Sequence, residues 1–258
     1  MSRLRAKCPD CGTFTAVALG QGYECHACGR EFGAGLVRVP HAWGEGGESM
    51  AEAARLPLPY PEVAVVEEES LGEQSLAVAL ELPERPLVLG GCCCAHIGAV
   101  EGLAARHGRL ALVWFDAHGD LNTSETSPSG DLWGMPLRML LDAGAVEVDD
   151  VILLGARSLD PPEEEYVAEI GLRTDPAELE SALEGARGVY VALDVDALEP
   201  DDLRPFMPEP GGLSLAETKS LLVRIRERTP VLGAGLTGLA AELSNVDPLT
   251  RLCAALGL

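Results

Sequence analysis

Two short acidic clusters in this sequence hold the residue types that bind metal ions. The apolar run Leu110-Ala-Leu-Val-Trp-Phe115 ends in Asp116-Ala-His118-Gly-Asp120, and Gly188-Val-Tyr-Val-Ala-Leu193 ends in Asp194-Val-Asp196. In an extended chain, residues two apart face the same side, so each run delivers its polar groups together to the carboxyl end of a strand. Open α/β sheets place their ligands there. Paired aspartates ending a core strand repel one another unless a cation lies between them. Four carboxylates with one imidazole suit Mn2+ better than zinc, and two ions sharing a bridging hydroxide would use all five groups. Taken singly, either aspartate of the second run also reads as an ordinary cap after a strand; the five groups together point to a metal centre holding one or two ions.

A second metal signal lies in the cysteines. Cys8-Pro-Asp-Cys11-Gly and Cys25-His-Ala-Cys28-Gly are two C-x2-C-G turns separated by thirteen residues. Each presents two thiolates on a tight turn, and four sulfurs close a tetrahedron around Zn2+. The pattern resembles a zinc ribbon, whose short hairpins bury too little to fold without the ion. Residues 1–33 therefore read as a separate module. Arg3, Arg5, Lys7 and Arg30 give it local positive charge, and ribbons of this kind often dock onto proteins or nucleic acids.

The elements that must position the acidic clusters lie beyond Gly35. There, Val- and Leu-rich runs alternate with helical stretches, the pattern of βαβ units around a parallel sheet. Strands are expected at 36–39, 62–66, 86–89, 110–115, 151–154, 189–193 and 231–236, and helices at 98–106, 135–142, 162–169, 176–184 and 214–228. Ser214 and Glu217 have capping-box spacing at the start of the last helix. The stretch 41–61 reads as irregular. At 258 residues and 47% hydrophobic side chains the chain can bury a full core. Its net charge of −22, from 41 acidic against 19 basic residues, disfavours a nucleic-acid backbone and suits small cationic ligands. No apolar run is long enough to span a membrane, no secretion signal opens the chain, and the clustered cysteines fit a reducing compartment. A cytoplasmic protein is expected.

D-A-H-x-D followed by D-x-D-x-L-x-P resembles the ureohydrolases, the arginase and agmatinase family. The resemblance runs from about residue 36 to 258 and also takes in Gly90-Gly91 and Gly238-Leu-Ala-Ala-Glu242. It implies a three-layer αβα domain with a mainly parallel sheet, and hydrolysis of a carbon–nitrogen bond in a linear guanidino or amidino compound. By that resemblance a hydroxide bridging two Mn2+ ions attacks the guanidinium carbon. The activated water is held by Asp116, Asp120 and Asp194, and His118 and Asp196 complete the second metal site. Glu242 grips the guanidinium, a bidentate pairing with a sound physical basis, and Asn122, Ser129 and Asp131 touch the far end of the substrate. The last three read equally well as turn residues. Members of the family are commonly homo-oligomers.

Three positions depart from the family pattern. Cys93, within Gly91-Cys-Cys-Cys-Ala-His96, stands where a histidine ligand is usual. Either it binds as thiolate, shifting preference towards zinc or iron with His96 one helical turn away to compensate, or three small side chains pack on a glycine turn and one metal position is weak or empty. Trp133 replaces a histidine held to shuttle protons, and loss of a general acid or base lowers rates by roughly 10²- to 10⁴-fold. Asp131 replaces an asparagine, which argues against free arginine as substrate. A rival reading is a divergent arginase-fold protein with altered or lost catalysis, binding metal or a protein partner through its ribbon. Replacing Cys8 or Cys28 with Ser is expected to release one zinc and unfold residues 1–33 while the metal content of the main domain stays unchanged. Metal analysis with limited proteolysis checks this, and full retention of zinc in both variants would refute it.

Overall fold

The computed structural model describes residues 5–258, so Arg3 lies outside the described residues. Strands β1 (Arg5–Ala6), β2 (Ala16–Leu19), β3 (Gly22–Cys25) and β4 (Glu31–Phe32) form an antiparallel sheet in that order. Its interior is small: Ala6, Ala16, Tyr23 and Phe32 pack with the buried Cys8 and Cys25. The Sγ atoms of Cys8 and Cys28 lie 3.8 Å apart and those of Cys11 and Cys25 3.7 Å. All four fall within 4.8 Å of one another, a grouping that one ion can span. Lys7 and Glu62 exchange two backbone hydrogen bonds of 2.9 Å, which stitches this module to the edge of the main sheet.

The main sheet consists of β5 (Gly35–Val39), β6 (Glu62–Val65), β7 (Pro86–Gly90), β8 (Ala111–Phe115), β9 (Val151–Leu154), β10 (Val189–Asp194) and β11 (Val231–Thr237). All pairings are parallel, in the order β6-β5-β7-β11-β10-β8-β9. A parallel sheet is covered on both faces, which is why its strands read as unbroken apolar runs. Alternate residues enter two cores. Leu36, Leu87, Val113, Val191 and Leu236 face one, while Val37, Val88, Leu112, Trp114 and Tyr190 face the other.

Among the described residues eight helices clothe the sheet: α1 (Glu48–Ala53), α2 (Leu71–Glu81), α3 (Ala95–His107), α4 (Pro136–Asp142), α5 (Pro161–Ile170), α6 (Leu179–Leu183), α7 (Leu215–Arg228) and α8 (Val246–Leu256). The capping box of α7 forms as its sequence requires. Three helices go beyond the sequence reading. In α8, Leu249, Leu252, Cys253 and Leu256 recur at helical spacing and are buried. The short α1 lies within the stretch expected to be irregular, and α2 opens on a Ser70 cap with a glycine in its first turn. Helix α3 starts at Ala95 rather than Gly98, because the carbonyls of Cys92 and Cys93 already accept from Ala95 and His96. The expected helix at 176–184 divides into a 3-10 turn, Pro176–Glu178, and α6. No helix among the described residues is long and apolar enough to cross a membrane.

This topology sets the carboxyl ends of β7, β11, β10 and β8 side by side, and with them the Cys93 turn, Thr237, Asp194 and Asp116. On the outer side of that arrangement α2 and α3 approach closely at Gly98, where an added Cβ would lie 2.1 Å from the Ser75 carbonyl oxygen. Gly98→Val should therefore push the two helices apart and cost about 1–3 kcal/mol of stability. Thermal unfolding at fixed metal concentration measures this, and an unchanged midpoint would show that the helices part freely.

Candidate metal centre

Asp116 is the first residue beyond β8, and only 2% of it is exposed. One carboxylate oxygen accepts from the His118 amide at 2.7 Å, the other from Trp114 Nε1 at 3.3 Å. Asp194 closes β10. Its Oδ1 accepts from the Asp196 amide at 3.0 Å, and its Oδ2 from Cys93 Sγ at 3.1 Å and Thr237 Oγ1 at 3.2 Å. Asp196 Oδ1 takes the Ala117 amide at 2.9 Å, which ties the two acidic strand ends together. His118 Nδ1 lies 3.0 Å from Asp196 and 3.4 Å from Asp116. Asp120 sits at φ 53°, a left-handed conformation that an L-residue holds only at a cost, and its buried Oδ2 has no hydrogen-bond partner.

These side chains form two overlapping ligand sets, Cys93 with Asp116 and Asp120, and Asp116 with His118 and Asp196. In each, the donor atoms lie within 4.8 Å of one another. The electrostatics call for a cation. Two carboxylates about 4 Å apart repel by about 4 kcal/mol even at an effective dielectric constant near 20. Burial, then the neighbouring Asp196, pushes Asp194 up to about 7. Burial, then Asp116 and Asp194, raises Asp120 well above the ordinary carboxylate range. Burial alone would lower His118, but its hydrogen bonds to Asp116 and Asp196 overcome this and hold it up at about 12. An orphaned buried oxygen, a strained backbone and a set of crowded carboxylates are what a bound divalent ion would relieve, and the residues present fit one.

The sets lie at the floor of a cavity of about 320 Å³. Of the residues expected to touch substrate, Asn122 and Ser129 line it and Trp133 forms part of its wall. Asp131 does not line it; its Oδ1 accepts from the Glu45 amide at 2.9 Å. Glu242 does not reach it either. Beyond Gly238 the buried Leu239 anchors the chain, and Glu242 lies exposed at the start of a 3-10 turn. His96 is fully buried behind the site, with Nδ1 3.0 Å from Tyr190 Oη and Nε2 3.2 Å from Thr237 Oγ1. It buttresses Thr237 without lining the cavity. Asp160 and Glu163, which no metal or substrate motif marks in the sequence, also line it. They form the capping box of α5, so locally they look like a helix start. Asn122 Nδ2 donates to Asp160 Oδ2 at 2.8 Å.

The chain matches the family model described as "Arginase family" over residues 50–256. It is similar to an arginase of Bacillus subtilis, 35% identical over 202 residues that cover 68% of this chain and 66% of that one, so the match spans slightly less than two thirds of the relative's length. Among solved structures it superposes on Bacillus subtilis arginase with a TM-score of 0.75 at 23% identity, covering 86% of this chain and 97% of that one. A formimidoylglutamase of the same organism gives 0.69 at 18%, covering 87% and 88%. Identities this low establish a common fold.

The raised carboxylates make stability depend on pH when the site holds no ion. A folded-state value of about 7 against an ordinary 3.8 for Asp194 stabilises the fold fully below about pH 4, and that stabilisation is lost as pH rises through about 7. Protein freed of ions at this site should thus lose stability between about pH 4 and 7, and reloading with Mn2+ should flatten or reverse the trend. Unfolding measured across that range tests it; a stripped protein that gains stability with pH would refute the electrostatic account.

Proposed function

We propose that this chain, which belongs to the arginase family, hydrolyses a carbon–nitrogen bond in a small cationic guanidino or amidino compound. The observation that carries this reading is the pair of ligand sets sharing Asp116 on the floor of a cavity whose charged lining groups are carboxylates and His118, with no lysine or arginine among the described residues that line it. Bound there, divalent metal ions supply Lewis acidity and a water of lowered pKa. Asp120, whose buried Oδ2 has no hydrogen-bond partner, would hold such an ion together with Asp116. A planar cation finds carboxylate partners in Asp160 and Glu163, and Asn122 fixes the orientation of Asp160. Trp133 and Phe206, ring centroids 6.3 Å apart, give an aromatic wall against which a cation or its alkyl chain packs.

This lining has no lysine or arginine to balance an α-carboxylate, so the substrate class we favour carries positive charge at the guanidino group and none of the negative charge of an amino acid. Mn2+ at this site, Zn2+ in the N-terminal module, a homo-oligomeric state, cytoplasmic location and a protein partner for the ribbon belong to the same proposal. The rival reading, a divergent arginase-fold protein that binds metal or a partner without turnover, draws support from Trp133, which has no titratable group, and from Glu242, which is exposed and does not line the cavity.

Metal-replete protein should release urea or ammonia from guanidino compounds lacking an α-carboxylate faster than from arginine. Asp160→Asn should raise KM about 10- to 100-fold with a smaller change in kcat, the size of a lost charge-assisted contact of roughly 1.5–3 kcal/mol. Asp194→Asn, which removes the charged acceptor of Cys93 Sγ and of the Asp196 amide, should weaken metal binding and lower hydrolysis together. Silence across a broad panel of guanidino and amidino compounds in fully loaded protein would favour the rival reading, and full activity in Asp194→Asn would sink the metallohydrolase one.

A further inference from the structure

The two ligand sets differ in chemical softness. One offers Asp116, His118 and Asp196, two carboxylates with an imidazole; the other offers Asp116 and Asp120 with the sulfur of Cys93. The surroundings of Cys93 separate it from its neighbours. Cys92 Sγ accepts from the Trp43 amide and Cys94 Sγ donates to the Leu132 carbonyl, both ordinary contacts to main chain. Cys93 Sγ directs its hydrogen-bond contacts to side-chain oxygens, at 3.1 Å from Asp194 Oδ2, 3.6 Å from Asp116 Oδ2 and 3.2 Å from Thr237 Oγ1. A thiol that merely filled space would need no such ring of oxygens.

The turn that carries Cys93 has little freedom to withdraw it. A Cβ at Gly91 would lie 2.4 Å from the Pro40 carbonyl oxygen, and one at Gly90 would lie 2.4 Å from the Ala95 Cβ, so the turn is packed on both sides. His96 cannot take over, because both its ring nitrogens are engaged by Tyr190 and Thr237 behind the site. The unpartnered Asp120 Oδ2 belongs to the same set as the thiol. Thiolate ligands select zinc and other thiophilic ions, whereas carboxylate with imidazole accommodates manganese.

We propose that the centre is heterometallic, with a thiophilic divalent ion, zinc, held by Cys93, Asp116 and Asp120, and manganese held by Asp116, His118 and Asp196. Asp116 belongs to both sets and joins them. The inference deepens the hydrolase reading and rests on it for the two-ion site, but it concerns metal identity and is tested without turnover.

The test uses the full chain from cells supplied with both zinc and manganese, analysed by mass spectrometry for metal content. Wild type should carry two zinc ions, one of them in the ribbon, and one manganese. Cys93→Ser should lose one zinc while keeping the ribbon ion, and Cys93→His should exchange one zinc for a second manganese. With cobalt replacing zinc, the wild-type spectrum minus that of Cys93→Ser cancels the ribbon contribution and should leave a thiolate-to-cobalt band. One zinc with two manganese ions in wild type, zinc at every site, or a flat cobalt difference spectrum would each overturn the proposal. Hydrolysis by a one-zinc, two-manganese protein would overturn it and leave the function intact. The expected metal ratio in a protein that hydrolyses no guanidino compound would do the reverse.

Discussion

Four aspartates crowd into one buried site at the ends of adjacent strands, and the surrounding structure is organised around that electrostatic burden. Asp116, Asp120, Asp194 and Asp196 are each no more than 7% exposed, and burial raises all four above the ordinary carboxylate range. The protein offsets part of the cost with directed donors: the amides of Ala117, His118 and Asp196, the Trp114 indole and the Thr237 hydroxyl. It leaves Asp120 Oδ2 without any. Such an arrangement is unfavourable as bare protein and favourable around cations, so folding energy is given up locally to shape a site whose cost a bound cation would offset.

The parallel sheet makes that shape possible. A parallel sheet directs all its carboxyl ends to one edge, and the strand order places β11 between β7 and β10 so that residues far apart in sequence meet there. Small residues clear the space. Gly235 in β11 lies against Tyr190 Oη and His96, where a Cβ would come within 2.3 Å and 2.4 Å. Gly238 lies against Asp194, where a Cβ would come within 1.9 Å, and at φ 67° its backbone suits glycine. The cavity wall is braced in the same manner. The Trp43 carbonyl accepts from the amides of Leu132 and Trp133, and Gly44 lets the Trp133 ring lie flush on the backbone. Trp133 is thereby a fixed surface, and its chemistry is that of a wall.

The N-terminal module stands apart from this site in both position and chemistry. It joins the main sheet at β6, an outer strand, and Gly33 packs against Leu258, while the acidic ends belong to β10 and β8, towards the other side of the sheet. Covering β6 with β1 protects an edge that would otherwise present unpaired backbone groups. Phe14 and Leu19 remain exposed on the module. Its four sulfurs and the single sulfur of Cys93 thus belong to two separate groups able to hold a metal, one built of cysteines, the other dominated by carboxylates.

The sequence alone determined the class of fold, all seven strands of the main sheet and the acidic groups gathered at two of their ends, because each rests on local periodicity and on a motif contained within a few residues. It also determined that Cys8, Cys11, Cys25 and Cys28 form one group, since spacing in two tight turns dictates it. What needed the tertiary structure was every contact made across strands. That Asp116 is shared between two ligand sets, that Cys93 faces oxygens whereas Cys92 and Cys94 face main chain, and that His96 is spent on Tyr190 and Thr237 follow from strand order, which no local pattern encodes. Asp160 and Glu163 were hidden because their local signal, a capping box, is complete without the cavity they also line. Glu242 and Asp131 carry the opposite lesson. A carboxylate at the expected point in a motif still depends on where the backbone turns, and here the buried Leu239 and the Glu45 amide direct the two away from the cavity.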